Sequence, residues 1–185
     1  SNPRAMETVG NADAQAGTLA DVQALIDQQI SAVPSFAEYG GPFRGRAGGV
    51  WRGQSVLPLP WSDHLPAGQR AALASLYCAQ TTAYLIERLW AGVDRPRTVV
   101  VEGPLAQNAL YLTLLQALLP EVRCQVSLDA MEGTARGAWL LSRWGQPAGQ
   151  ALSVVPPASV SGLAAYHQRW LAQLDAVAQE PPSAR

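Results

Sequence analysis

Lysine is absent: all 13 basic side chains among the 185 residues are arginine. That excludes any mechanism that needs a lysine amine, such as a Schiff base. The gap accompanies abundant Ala, Gly, Pro and Arg, so it reads as genomic base bias before function. Cysteine is scarce too. Cys78 and Cys124 lie far apart in apolar contexts and read as small core residues. A disulfide framework or a metal site needs more ligands at tighter spacing. His64 and His167 are isolated, and each is expected to serve structure or surface rather than catalysis. Charge is sparse and balanced, 13 basic side chains against 14 acidic. Neither nucleic acid nor an anionic membrane is favoured as a partner. No apolar run is long enough to span a bilayer, and no signal peptide is evident, so the expected location is cytoplasmic.

What is present is a globular composition, 48% hydrophobic, in a chain long enough to bury a core. One domain is the simplest expectation. The chain starts at Ser1 rather than methionine, which leaves open that it belongs to something longer.

The most informative stretch is Thr98 to Ala109, Thr-Val-Val-Val-Glu-Gly-Pro-Leu-Ala-Gln-Asn-Ala. Thr98 to Val101 is a β-branched run, the composition of a buried strand. Glu102-Gly103-Pro104 breaks it, and Leu105 to Leu119 then reads as a helix. A strand that turns at a glycine into a helix makes a platform. Unpaired helix N–H groups point outward there, with partial positive charge behind them. Glycine removes the side chain that would hold a ligand off the backbone. In open α/β sheets ligands lie at such strand ends. An ordinary βα turn with no ligand fits the same residues, since one glycine is far weaker than a full phosphate-loop fingerprint.

Along the rest of the chain, residues 1–17 read as a loose lead-in. Thr18 can cap a helix over Leu19 to Ile30, with Leu19, Val22, Leu25, Ile26 and Ile30 on one stripe. Ala32 to Trp61 is irregular and glycine-rich, with short strands expected at Val50-Trp51 and Ser55 to Leu57. Trp51 and Trp61 in it either line a pocket or are simply buried. Arg70 to Leu89 is strongly helical, with Leu73, Leu76, Tyr77, Gln80, Tyr84, Leu85 and Leu89 near one period. Glu121 to Ser127 alternates as a second strand. A helix is expected from about Met131 to Trp144, with Asp129 as its cap, and an edge strand over Ala151 to Val155. A last amphipathic helix runs to about Val177, with Leu163, Tyr166, Trp170 and Leu174 on one face. Trp90, Trp139, Trp144 and Trp170 read as core or interface. Helices alternate with few short strands, which argues helix-dominated α/β layers and an incomplete sheet.

Two motifs suggest a family. Glu102 to Asn108 is followed by a helix, the strand around Arg123 to Val126, and then Glu132-Gly133-Thr134-Ala135-Arg136-Gly137-Ala138. This order and spacing resemble the end of the C-terminal domain of FGGY carbohydrate kinases. Members there carry a Gly-Gly turn, a helix, a strand, and Glu-x-Thr-Ala-Leu-Gly-Ala-Ala. The likeness extends from about Thr18 to Leu174, although its specific part is the two motifs. It implies an RNase-H-like (actin-like ATPase) α/β domain over residues 18–178, flanked by a lead-in at 1–17 and a tail at 179–185. Glu102 stands where the family has its first glycine, Pro104 stiffens the turn, and Arg136 replaces a leucine.

The resemblance implies ATP and Mg²⁺ as cofactors and a sugar as substrate. It places the adenine and α-phosphate against Gly103, with Gln107 or Asn108 adding a polar contact. A carboxylate at Glu102 would repel phosphate if it faced the site. The resemblance also implies an N-terminal kinase domain that carries the general-base aspartate and most of the sugar pocket. No residue of this chain is assigned as catalytic or as a metal ligand, and Asp63, Asp94 and Asp129 are not taken as the base. A truncated domain would expose an apolar face, which leaves a homo-oligomer open. The expected function is the nucleotide-side part of a sugar kinase. A non-catalytic, degenerate kinase half is the alternative. A stand-alone hydrolase lacks a defensible nucleophile elbow or metal cluster.

Overall fold

A computed structural model of the chain describes residues 16–34, 36, 42–43, 48–92, 94, 96–127, 138, 141–142, 144–145 and 151–179. In chain order its elements are α1 (Leu19–Asp27), β1 (Ile30–Val33), β2 (Gly49–Arg52), β3 (Ser55–Val56), α2 (Ala67–Leu89), β4 (Thr98–Val101), α3 (Ala109–Leu118), β5 (Arg123–Ser127), β6 (Leu152–Val154) and α4 (Leu163–Gln179). Short 3-10 turns stand at Trp61–Asp63 and Pro104–Gln107. The chain divides into two compact units. One comprises the residues up to Cys78 and from Ser159 onward, the other Ala79–Ala158. Each holds a three-stranded sheet, β1-β2-β3 or β4-β5-β6, which makes the protein mixed α/β.

In the first unit, α1 starts at a capping box. Thr18 Oγ1 accepts from the Asp21 N–H at 3.1 Å, and the Asp21 carboxylate accepts from the Thr18 N–H at 3.0 Å. Val22, Leu25 and Ile26 are its buried face. The helix ends at Asp27, not at Ile30 as the stripe suggests. Gln29 takes a φ of 54°, which turns the chain back, and Ile30 opens β1. All four β1 residues are buried, so the run has no alternation to mark it as a strand. β1 pairs antiparallel with β2, and Gly53 at φ 59° turns β2 into β3.

The outer edge of β1 is closed by side chains. The Gly53 N–H donates to Gln29 O at 2.9 Å, which fixes the ladder so that the Ile30 and Ala32 carbonyls point away from β2. Tyr166 Oη donates to Ile30 O at 2.5 Å, and Trp170 Nε1 donates to Ala32 O at 2.7 Å. Four residues of helix rise about 6 Å, and two residues of strand span about 6.6 Å. The spacing of the two aromatics therefore matches that of the two carbonyls. Gln173 extends the seam, donating to Gly53 O at 3.1 Å and accepting from Ser31 Oγ at 2.8 Å. Trp61 is buried, with Nε1 on Leu57 O at 3.3 Å and Phe36 edge-on at 5.9 Å. It is a packing residue, not an open stacking surface.

In the second unit β4 and β5 are parallel, and β6 adds antiparallel at the edge. α3 starts later than the sequence suggests. Pro104–Gln107 is a separate 3-10 turn, and Asn108 caps a helix that begins at Ala109. Buried Gln116 binds the chain that follows. Its Nε2 donates to Leu119 O at 3.1 Å and Val122 O at 2.9 Å, and its Oε1 accepts from the Cys124 N–H at 2.8 Å. Along α2 the expected Leu73, Leu76 and Gln80 are buried, joined by Ala72, Ala79, Ala83 and Ile86, while Leu89 is 71% exposed. Trp144, expected in the core or an interface, is exposed on its own chain. The helix expected over Met131 to Trp144, its cap Asp129 and the Glu132 to Ala138 motif lie outside the described residues apart from Ala138, Leu141, Ser142 and Trp144. Among the described residues no helix is long and apolar enough to cross a membrane.

Candidate functional site

The three residues expected to meet a ligand come together in one turn at the carboxyl end of β4. Val101 is buried, Glu102 is exposed, and Gly103 then adopts φ 76°, ψ −163°. That region of backbone space is essentially reserved for glycine. A Cβ built at Gly103 would meet nothing within 4 Å. Conformation rather than crowding therefore demands the glycine, and the space in front of it is open. Gly103 O accepts from the Ala106 N–H at 3.0 Å, and Leu105 O accepts from the Asn108 N–H at 3.1 Å. Pro104 fills the first position of the turn, where a missing N–H costs little.

The helix end differs from the bare platform the sequence suggests. Asn108 Oδ1 accepts from the Tyr111 N–H at 2.9 Å, so the first turn of α3 is satisfied from within. A 3-10 turn separates that helix end from Gly103. The turn presents the uncovered α-carbon of Gly103 beside the exposed Gln107 and the half-buried Asn108. A flat, uncharged group suits that surface. A phosphate suits it less, because Glu102 is exposed one residue away.

Other titratable groups read as structural. Burial pushes the Cys78 and Cys124 thiols up, which suppresses the thiolate. Burial pushes the His167 imidazole down, and its ring stacks on Trp170 at 5.7 Å. Among the described residues, no three His, Cys, Asp or Glu side chains come together as a metal site.

Sequence reasoning missed a second concavity. A cleft of about 1000 Å³ opens at the amino ends of β4 and β5 and is lined by Arg97, Thr98, Glu121, Arg123, Val154 and Pro157, among others. The readable signal was an arginine near the start of each of two strand runs, Arg97 before Thr98 and Arg123 within Glu121 to Ser127.

With that geometry in place, three comparisons bear on the chain. Residues 4–151 match the family described as carbohydrate kinase FGGY, C-terminal domain. No curated protein matches. Among solved structures, a carbohydrate kinase from Novosphingobium aromaticivorans superposes with a TM-score of 0.64 at 21% identity, over 94% of this chain and 35% of that one. Such a likeness shows the fold, and this chain spans about a third of that kinase's length. The family match covers most of the sequence and runs through the Gly103 turn: the chain belongs to the FGGY carbohydrate kinase C-terminal domain family.

Proposed function

We propose that the chain is the nucleotide-side part of a sugar kinase, an RNase-H-like (actin-like ATPase) domain over residues 18–178. It forms the adenine-side wall at Gly103, Gln107 and Asn108. The observation that carries this is the open, glycine-only backbone at the end of β4. It lies within the family match, at a strand end of the kind where ligands lie in α/β sheets.

ATP supplies the phosphoryl group that passes to a sugar hydroxyl. The part of this chain is to bind and orient. The open face of Gly103 would give the base a flat contact, and Gln107 or Asn108 would add a polar contact to its edge. Because the Asn108 carbonyl oxygen is committed to capping α3, its Nδ2 would serve as the donor. Glu102 favours a pose with the phosphates directed away from the turn. Mg²⁺ would accompany the phosphates, as the family membership implies. The general-base aspartate and the sugar pocket are assigned to an N-terminal kinase domain, the proposed partner. Positioning across two domains is how such phosphoryl transfer is accelerated.

This chain alone should therefore show no turnover. A coupled ADP-release assay over a sugar panel should stay at background, and sustained ADP release would overturn the assignment. Calorimetry with ATP·Mg²⁺ should show weak, saturable binding. Asn108→Ser keeps the cap and removes the amide donor, so it should weaken that binding without unfolding the turn.

A non-catalytic binding or regulatory module is the second reading. The exposed Glu102 beside Gly103 favours it. Absence of heat at millimolar ATP would select it.

A further inference from the structure

The cleft at the amino ends of β4 and β5 has the makings of a second ligand site. Arg97 directly precedes β4, and Arg123 opens β5. The Arg123 N–H donates to Arg97 O at 2.9 Å, and the parallel register sets Arg123 opposite Thr98, so the two arginines stand at the same end of the two strands. Both are exposed and both line the cleft. Among the described residues neither has a carboxylate partner. Glu121 shares the lining, which leaves two positive charges against one negative. Like charges held side by side repel, and an anion between them relieves that repulsion.

The backbone beneath these arginines is fixed. Gln116 binds Leu119 O, Val122 O and the Cys124 N–H, holding the chain on either side of Arg123. Groups carried by a fixed backbone lose less freedom on binding. An apolar part of the lining is formed by Val154, Val155, Pro157 and Ala158, on and just after the strand next to β5. It is tied down by the Val155 N–H on Cys124 O at 3.0 Å and the Ala158 N–H on Thr113 O at 2.9 Å. The Thr98 hydroxyl adds a donor at the rim.

We propose that this cleft binds an organic phosphomonoester. Its dianionic head lies between Arg97 and Arg123, and its apolar remainder lies along Val154, Val155 and Pro157. Guanidinium forks match phosphate oxygens in pairs. The site does not depend on the nucleotide reading, because Gly103 lies past the opposite end of β4. Inorganic phosphate shares the head-group chemistry but has nothing to place against the apolar wall.

The test follows the arginine Nε–H signals of the 185-residue chain by ¹H–¹⁵N NMR at fixed ionic strength. One titration uses phenyl phosphate and the other inorganic phosphate. Arg97 and Arg123 signals should shift saturably, with phenyl phosphate about tenfold tighter. R97Q and R123Q should each weaken it about tenfold. E121Q removes the opposing charge and should tighten it about two- to threefold. That gain cannot come from a misfolded variant. Equal affinity for the two probes would overturn the organic ligand in favour of free phosphate. No saturable shift by about 10 mM of either probe would overturn the site itself.

Discussion

At the outer edge of β1, two carbonyls face away from their sheet, and both are taken by side chains of α4. At the carboxyl end of β4, the α-carbon of Gly103 faces open space, while its carbonyl is taken by the Ala106 N–H within the turn. Both are places where a strand's backbone has no strand beside it. The first is filled by two large aromatics, each with a polar tip suited to one carbonyl, and both side chains are buried. The second is kept clear by a residue with no side chain and a conformation others avoid. The contrast separates structure from access. Where the sequence places Tyr and Trp at helical spacing against an edge, backbone groups are consumed by the fold. Where it places Gly-Pro after a strand, backbone is left for something else to meet.

Breaking the closed side should have the largest effect. Trp170→Ala empties a fully buried site and strips Ala32 O of its donor. Urea unfolding should show a loss of about 3–5 kcal/mol. A loss below about 1 kcal/mol would mean that the edge is not held by this residue.

Tyr166→Phe is gentler and adds a pH signature. It removes one hydrogen bond and should cost about 1 kcal/mol near neutral pH. Burial raises the Tyr166 phenol well above its ordinary value, and Arg169 offsets this in part. The neutral phenol is therefore the form the fold favours. The stability linked to it is complete below the unfolded pKa of about 10 and is lost as pH rises above that. Thermal melts from neutral to alkaline pH should fall steeply in the native chain. They should fall less in Tyr166→Phe, which has no group to ionise there.

The smallest effect belongs to the open side. Asn108→Ala should cost about 1 kcal/mol through the lost cap, and Asn108→Asp should recover most of it. If Asp fails to recover stability, the side chain does not act as the cap of α3.

Much of this contrast was legible in the sequence. Thr98 to Val101 reads as a strand because its residues are β-branched, and Gly103 reads as the break after it, but the expected burial holds only at Val101 because the strand's other residues are at least partly open to solvent. Tyr166, Trp170 and Leu174 read as one buried face because their spacing is helical, and all three are buried. The illegible parts have physical causes. β1 follows a helical stripe without a gap, and its start depends on a positive φ at Gln29, a residue type that does not announce one. The start of α3 was set by competition between Pro104 and Asn108, and local composition favours both. On α2 the sequence marked Leu73, Leu76 and Gln80 but not the buried alanines, whose small side chains carry little hydrophobic signal. Arg97 and Arg123 are brought to the same end of the sheet by the parallel pairing of β4 with β5, which no local pattern records.

The open side carries the functional proposal, and one titration tests it most directly. Backbone amide signals of the chain would be followed as adenosine, which has no phosphate to engage the arginine cleft, is added. A nucleotide seat on the β4 turn requires saturable shifts at Gly103, Gln107 and Asn108, with Arg97 and Arg123 unmoved. Shifts absent from those three residues up to the solubility limit of adenosine would contradict it.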